Sequence, residues 1–519
     1  MLFALLVAVS SVMLGAALSF APSSRGLLGY MRTFATLAAL AVVVTHLLPE
    51  ALHALGPLSI LLFLAGWFAP ALAHFIGQQS TRGRPAHAVL EAGYWGLIVH
   101  HVADGIGLGT YTRLTPSEGS HLDVIVALAA HTVPLIAVVS LAYRTTFGAR
   151  SALTRSLGLA LASVFGIGLS NLVAASTIET FAPVIAAVAA GLLLHVVTHD
   201  LTEDAPSGAF SRTVDLGVAA LGVAVSLLGI DRHSDPATWL FAQRLLELAE
   251  RSSLVILVGL AAAALSLRVA LPDARFSRFS RAMLPAAALG SDSLLLGVSL
   301  FGFAISALRV AITIAAVALF EDQTEPDPAP TAKGWFERWS EALSSSGPWL
   351  ALGLVVGALL STVQPSASSM RWAGSLSELV LLAIVSNVTP TAAPAALLIA
   401  TGLRALGLSS GAVLLFATLG PLLVGRNGSL RRRLVLSLSC IVVAWSTNFS
   451  SISCAALDGA LSASEPGKRL ALALATLLAF GVWQRGARIW LSRIVKTPAH
   501  EHEHAHDVHG PHAHEHEHE

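Results

Sequence analysis

Charge is what this sequence has least of. Only 12% of its 519 residues are Asp, Glu, Lys or Arg, against about 25% in soluble globular chains. The 31 basic and 31 acidic residues cancel, so no chain-wide field points to nucleic acid or to an acidic partner. The two cysteines, Cys440 and Cys454, are too few for a disulfide framework or a thiolate metal site. The first residues lack the basic region and small-residue cleavage site of a signal peptide, so 2–20 reads as a retained first span. Apolar length is what the chain has in excess. Hydrophobic residues make up 55% of it and the mean hydropathy is +0.72.

A membrane helix needs about 20 mostly apolar residues. Such stretches fall near 2–20, 33–55, 58–77, 88–110, 122–143, 153–174, 179–200 and 213–230, then near 252–271, 283–302, 303–320, 347–364, 374–402, 410–425, 433–455 and 468–489. The expected fold is all-α, a polytopic integral membrane protein with about 14–16 transmembrane helices in two bundles. Residues 1–230 form an eight-helix module, 231–250 a polar linker, 251–495 a second module and 496–519 a disordered tail. Pro390 and Pro394 interrupt 374–402, which reads as broken or re-entrant rather than straight. Arginines in alternate loops, from Arg25 and Arg32 to Arg485 and Arg493, place those loops in the cytoplasm by the positive-inside rule. The N-terminus is then outside and the tail inside.

Ionisable residues within spans are costly and mark function. The first half holds four clusters. THLLPEALHALG carries His46, Glu50 and His53 at i, i+4 and i+7, which places them on one helical face. VHHVADGIGLG carries His100, His101 and Asp104; AAHTVPLIAV carries His131; LLLHVVTHD carries His195, His199 and Asp200. Imidazole and carboxylate together suit Zn, Fe, Mn, Ni or Co. A single intramembrane histidine can equally satisfy a backbone carbonyl, but four clusters in one bundle favour metal chemistry.

These segments resemble the ZIP (Zrt/Irt-like) metal transporters. HLLPEALHALG is similar to that family's second-span HLLPEA pattern and HHVADGIGLG to its fourth-span HNxxDGxAxG pattern. The resemblance implies metal-ligand roles for His100, His101 and Asp104. AHTVPLI resembles the fifth-span HExPHE pattern at His131 and Pro134, while Thr132, Leu135 and Ile136 replace the remaining Glu, His and Glu. The second half resembles the predicted heavy-metal permeases. ALGSDSLLLG is similar to that family's first-half TGVDSI segment and NVTPTAAPAALLIATGLRALG to its second-half segment. The thiolates of that family are missing. Ser291, Asp292 and Ser293, with Asn387, Thr389 and Thr391, would make an oxygen-lined path instead.

The tail is independent of any resemblance. His500, His502, His504, His506, His509, His512, His514, His516 and His518 alternate with Glu and Asp, a pattern that binds metals weakly at several sites. Its expected role is buffering or sensing the carried ion. The leading expectation is therefore a carrier of a divalent transition metal, zinc first and otherwise Fe, Mn, Ni, Co or Cu, in a bacterial-type inner membrane. The metal is cargo, and no organic cofactor is expected. Metal ions and the lipid bilayer are the expected partners, without nucleic acid, and a homodimer is compatible with the sequence. Two alternatives stay open: an intramembrane zinc-dependent hydrolase with Glu50 as base, and a sensor or scaffold that transports nothing.

Overall fold

The computed structural model describes residues 2–20, 25–80, 85–111, 122–172, 175–199, 208–227, 236–266, 291–320, 334–363, 372–424, 430–450 and 465–495. Among them all regular structure is helical, and the chain is an all-α polytopic membrane protein. In the first half α1 is Leu2–Phe20, α2 Arg25–Val42, α3 Leu48–Leu55, α4 Leu58–Ser80, α5 Pro85–Tyr111, α6 Leu122–Phe147, α7 Ala149–Leu172, α8 Ala175–His199 and α9 Ala209–Leu227. A π turn, Val43–Leu47, joins α2 to α3. The second half runs α10 Pro236–Ser266, α11 Ser291–Phe320, α12 Trp335–Ser361, α13 Leu376–Val388, α14 Ala393–Ala405, α15 Ser410–Leu423, α16 Leu430–Asn448, α17 Glu465–Arg485 and α18 Ala487–Val495. Six helices among the described residues are long and apolar enough to cross a membrane. A seventh crossing arises if α17 and α18, bent by 98°, are one span.

Lipid offers no hydrophobic drive between helices, so small residues and close backbone contact hold them together. The α5–α7 crossing is the tightest example. A Cβ on Gly105 would overlap the Ser163 carbonyl, one on Gly166 the Val102 carbonyl, and one on Gly109 the Ser170 hydroxyl. An ion pair locks one end of this crossing, Arg155 to Glu91 at 2.7 Å, with the guanidinium 4.6 Å from the Tyr94 ring centre. Elsewhere α4 packs on α8, α1 on α6 and α2 on α9.

The second half differs in construction. Helices α13 and α14 have 13 residues each and α15 has 14, about 20 Å at 1.5 Å per residue and too short for a hydrocarbon core of about 30 Å. Every residue of α15 from Gly411 to Leu423 is buried. Helix α11 folds back at Gly302, whose φ of 82° breaks it. The Arg309 Nη1 atom donates to the Ser293 carbonyl at 3.4 Å, although a straight helix would separate those residues by about 24 Å. The boundary between the 283–302 and 303–320 stretches is this fold-back.

Prolines leave a carbonyl without its helical donor four residues back. Three such carbonyls are claimed by another helix. Pro421 frees the Ala417 carbonyl, which accepts from Arg309 Nε at 3.0 Å. Pro348 frees the Ser344 carbonyl, which accepts from Arg493 at 3.3 Å. Pro49 frees the Thr45 carbonyl, which accepts from the Thr238 hydroxyl of α10.

The last of these bonds ties the two halves together. Asp215 on α9 adds a second tie: it is buried, accepts from the Thr33 hydroxyl at 2.7 Å and accepts the N–H of Ala487 at the start of α18 at 2.8 Å. The largest buried apolar cluster lies in the second half and takes in Leu52 of α3; a separate one lies among α1, α2, α5, α6, α7 and α8. The segment expected as a linker, 231–250, is helical from Pro236 onward. There Phe241, Leu245, Leu248 and Ala249 face the second core, while Arg244, Glu247 and Arg251 pair with one another on the outside.

Candidate metal centre

The polar centre of the first half lies on α5. His100 and His101 are 3% and 1% exposed. The Oδ2 atom of Asp104 sits 3.3 Å from His100 Nε2 and 3.9 Å from His101 Nδ1. One carboxylate oxygen thus lies within 4 Å of two imidazoles whose ring centres are 5.7 Å apart. Helical geometry explains the arrangement: i+4 and i+3 spacings bring both rings over the turn that carries Asp104. The tight crossing on α7 begins at the next residue, Gly105, so the backbone beneath the cluster is held firmly.

A cavity of about 10 Å³ opens beside it, lined by Val7, Ala8 and Ser11 of α1, His101, Asp104 and Leu108 of α5, Thr132 of α6 and Ser163 of α7. That volume holds about one water. The Ser11 and Ser163 hydroxyls both donate to carbonyls one turn back on their own helices, which leaves their oxygen lone pairs toward neighbours. No motif marks Ser11, Thr132 or Ser163 as lining residues. Small hydroxyl residues in apolar helices serve helix packing far more often.

The other histidine clusters lie differently. His46 falls within the π turn and its Nε2 atom is 2.8 Å from the Ser226 carbonyl of α9. Glu50 and His53 are exposed on α3. His46 thus lies in the π turn, whereas Glu50 and His53, expected to share its face, lie on the regular helix that follows. His195 lies edge-on to Trp67 of α4, with ring centres 5.8 Å apart. The side chains of His131, His199 and Ser291 to Asp292, with all of Asp200 and the nine tail histidines, lie outside the described residues. His131 belongs to α6, one residue before Thr132. Among the described residues no three His, Cys, Asp or Glu side chains are grouped so as to hold a metal ion. A complete shell on the α5 cluster therefore needs donors from outside that set.

Of the residues expected to line a second-half path, Asn387 donates to the Ala383 carbonyl and to the Ser437 hydroxyl, both at 2.8 Å. Thr389 is exposed and donates to the Val385 carbonyl at 2.8 Å. Thr391 is buried, and its hydroxyl has no hydrogen-bond partner.

No protein-family model matches this chain, and no curated protein or solved structure is similar to it at a significant level.

Proposed function

We propose that this protein is a transporter, not an enzyme, and that it carries a divalent transition metal, zinc first, through the α5 cluster of the first half. The observation that carries the reading is the buried group of His100, His101 and Asp104 beside a cavity of about 10 Å³. Buried imidazole and carboxylate are expensive at membrane depth and are kept for ions, protons or ligands. His131, next in sequence to the lining residue Thr132 on α6, is a candidate for a further nitrogen donor. Zinc bonds to such atoms are about 2.0–2.2 Å long, so a complete shell would need donors from a second helix brought that close. The resemblance of HHVADGIGLG to the ZIP fourth-span pattern points the same way.

The size of the cavity favours an ion over the substrate of a hydrolase, since a lipid or peptide needs far more space. The arginine distribution supports an orientation with the tail in the cytoplasm, in a bacterial-type inner membrane. There the tail would collect the ion at the inner face. The reading is tested by zinc flux into proteoliposomes that contain the purified protein. Saturable uptake above empty liposomes supports it; flux equal to empty liposomes, together with hydrolysis of a lipid or peptide substrate, refutes it.

A further inference from the structure

Two short helices meet end to end in the second half, and the junction carries features that the metal reading does not use. Helix α13 ends at Val388 and α14 starts at Ala393. The residue before α14, Ala392, is extended and provides no side-chain cap. The first helical bond of α14 runs from the Ala396 N–H to the Ala392 carbonyl at 2.9 Å, so the N–H groups of Ala393 and Ala395 precede the helical ladder. Both residues are 0% exposed. A buried, uncapped helix start is unusual, because its N–H groups need acceptors.

Two buried hydroxyls flank the same junction. Thr391 is 7% and Ser386 0% exposed, and neither hydroxyl has a hydrogen-bond partner. Gly420 of α15 packs against Thr391, where a Cβ would lie 2.8 Å from the hydroxyl oxygen. Basic side chains lie on the neighbouring elements. The buried guanidinium of Arg309 lies against Ala417, one turn before Gly420 on α15. Helix α16 opens with Arg431, Arg432 and Arg433, and Asn387 reaches Ser437 one turn beyond Arg433. Helices α14 and α15 contain no Asp or Glu, and the carboxylate of α13, Glu378, is at its far end.

We propose that the α13–α14 junction binds a small oxyanion. Its oxygens would accept from the Thr391 and Ser386 hydroxyls and from the first N–H groups of α14, where the helix dipole favours negative charge. A metal cation would meet the positive end of that dipole beside a buried arginine, so the observations favour the anion. The site is separate from the α5 cluster and does not depend on what that cluster carries. Helices broken at membrane depth are where transporters place such sites.

The test uses the full-length protein in detergent, with sulfate and phosphate as probes and chloride at matched ionic strength as reference. Melting temperature is followed against anion concentration in the wild type, Thr391→Val, Thr391→Ser, Ser386→Ala and Thr389→Val. General salt effects on stability are shared by all five and cancel in the comparison. The wild type should show a saturable upward shift with one of the two oxyanions. The apparent affinity should weaken at least tenfold in Thr391→Val, weaken in Ser386→Ala, and persist in Thr391→Ser and in Thr389→Val, whose hydroxyl is exposed. Should Thr391→Val fail to fold, Ser386→Ala against Thr389→Val decides. Equal anion dependence across the set, or saturable stabilisation by sodium or zinc at this junction in place of oxyanions, overturns the proposal.

Discussion

The two halves of this molecule bring polar atoms to membrane depth by different means. In the first half, long helices with glycine-lined crossings hold imidazoles and a carboxylate on an unbroken turn of α5. In the second, three helices, α13 to α15, are short, α11 is broken at a glycine and α15 carries an internal proline, and the buried polar groups include hydroxyls, freed carbonyls, Arg309 and Glu378. The first scheme gives metal-type donors on rigid backbone. The second gives helix ends, whose partial charges select ligands without ionisable side chains. Backbone contact should thus be the sensitive point of the first half, and the donors that answer the freed carbonyls that of the second.

The largest effect is expected at the α5–α7 crossing. Gly105→Leu or Gly166→Leu would drive a side chain into backbone of the neighbouring helix, at a cost of about 1–3 kcal/mol or more. Gly168→Leu on the same α7 helix meets open space and should be tolerated. The yield of monodisperse protein in detergent measures the difference; equal yields would show that the crossing does not depend on close approach.

Arg309→Met comes next. It leaves the Ala417 carbonyl without the donor that compensates Pro421, and an unsatisfied buried acceptor costs about 1–3 kcal/mol. Adding Pro421→Ala returns a backbone N–H to that carbonyl and should recover part of the loss. A double-mutant cycle on thermal stability reads the coupling, and strict additivity would remove the assigned role. The analogous pair between the halves, Thr238→Val with Pro49→Ala, should show the same sign and a smaller coupling, about 1 kcal/mol.

The smallest effect on the folded protein is expected from removing residues 500–519. The isolated tail peptide should still bind Zn²⁺ or Ni²⁺ weakly. Its affinity should fall as pH drops through about 6.5, because neutral imidazole binds metal and imidazolium does not. Metal titration of the peptide at several pH values checks this; a peptide that binds nothing at micromolar metal would end the buffering role.

How much of this was legible in the sequence follows the same division. Hydropathy locates α1, α7 and α9 closely, since a continuous apolar helix leaves its length in the sequence. The breaks at Pro390 and Pro394 and between 302 and 303 are visible as breaks, yet the sharp fold-back at Gly302 within one helical run is not, because one glycine in an apolar run carries no direction. The start of α10 reads as a linker because Arg244, Glu247 and Arg251 lower its hydropathy, although they pair with each other outside the core. Within the candidate site the spacing of His100, His101 and Asp104 fixes their mutual approach, since all three sit on one helix. The spacing of His46, Glu50 and His53 assumes a regular α-helix and carries no sign of the π turn that holds His46. Lining residues from α1, α6 and α7 depend on tertiary packing, which local pattern cannot reveal.

The central claim is that metal passes through the α5 cluster. The most direct measurement is zinc flux through proteoliposomes bearing Asp104→Asn, which keeps the size of the side chain and removes the charge that lies within 4 Å of both imidazoles. With insertion and melting temperature matched to the wild type, flux should fall by at least about tenfold, the lower end of what loss of a metal-site partner costs. Wild-type flux in a well-folded Asp104→Asn protein would contradict the account and move the path away from α5.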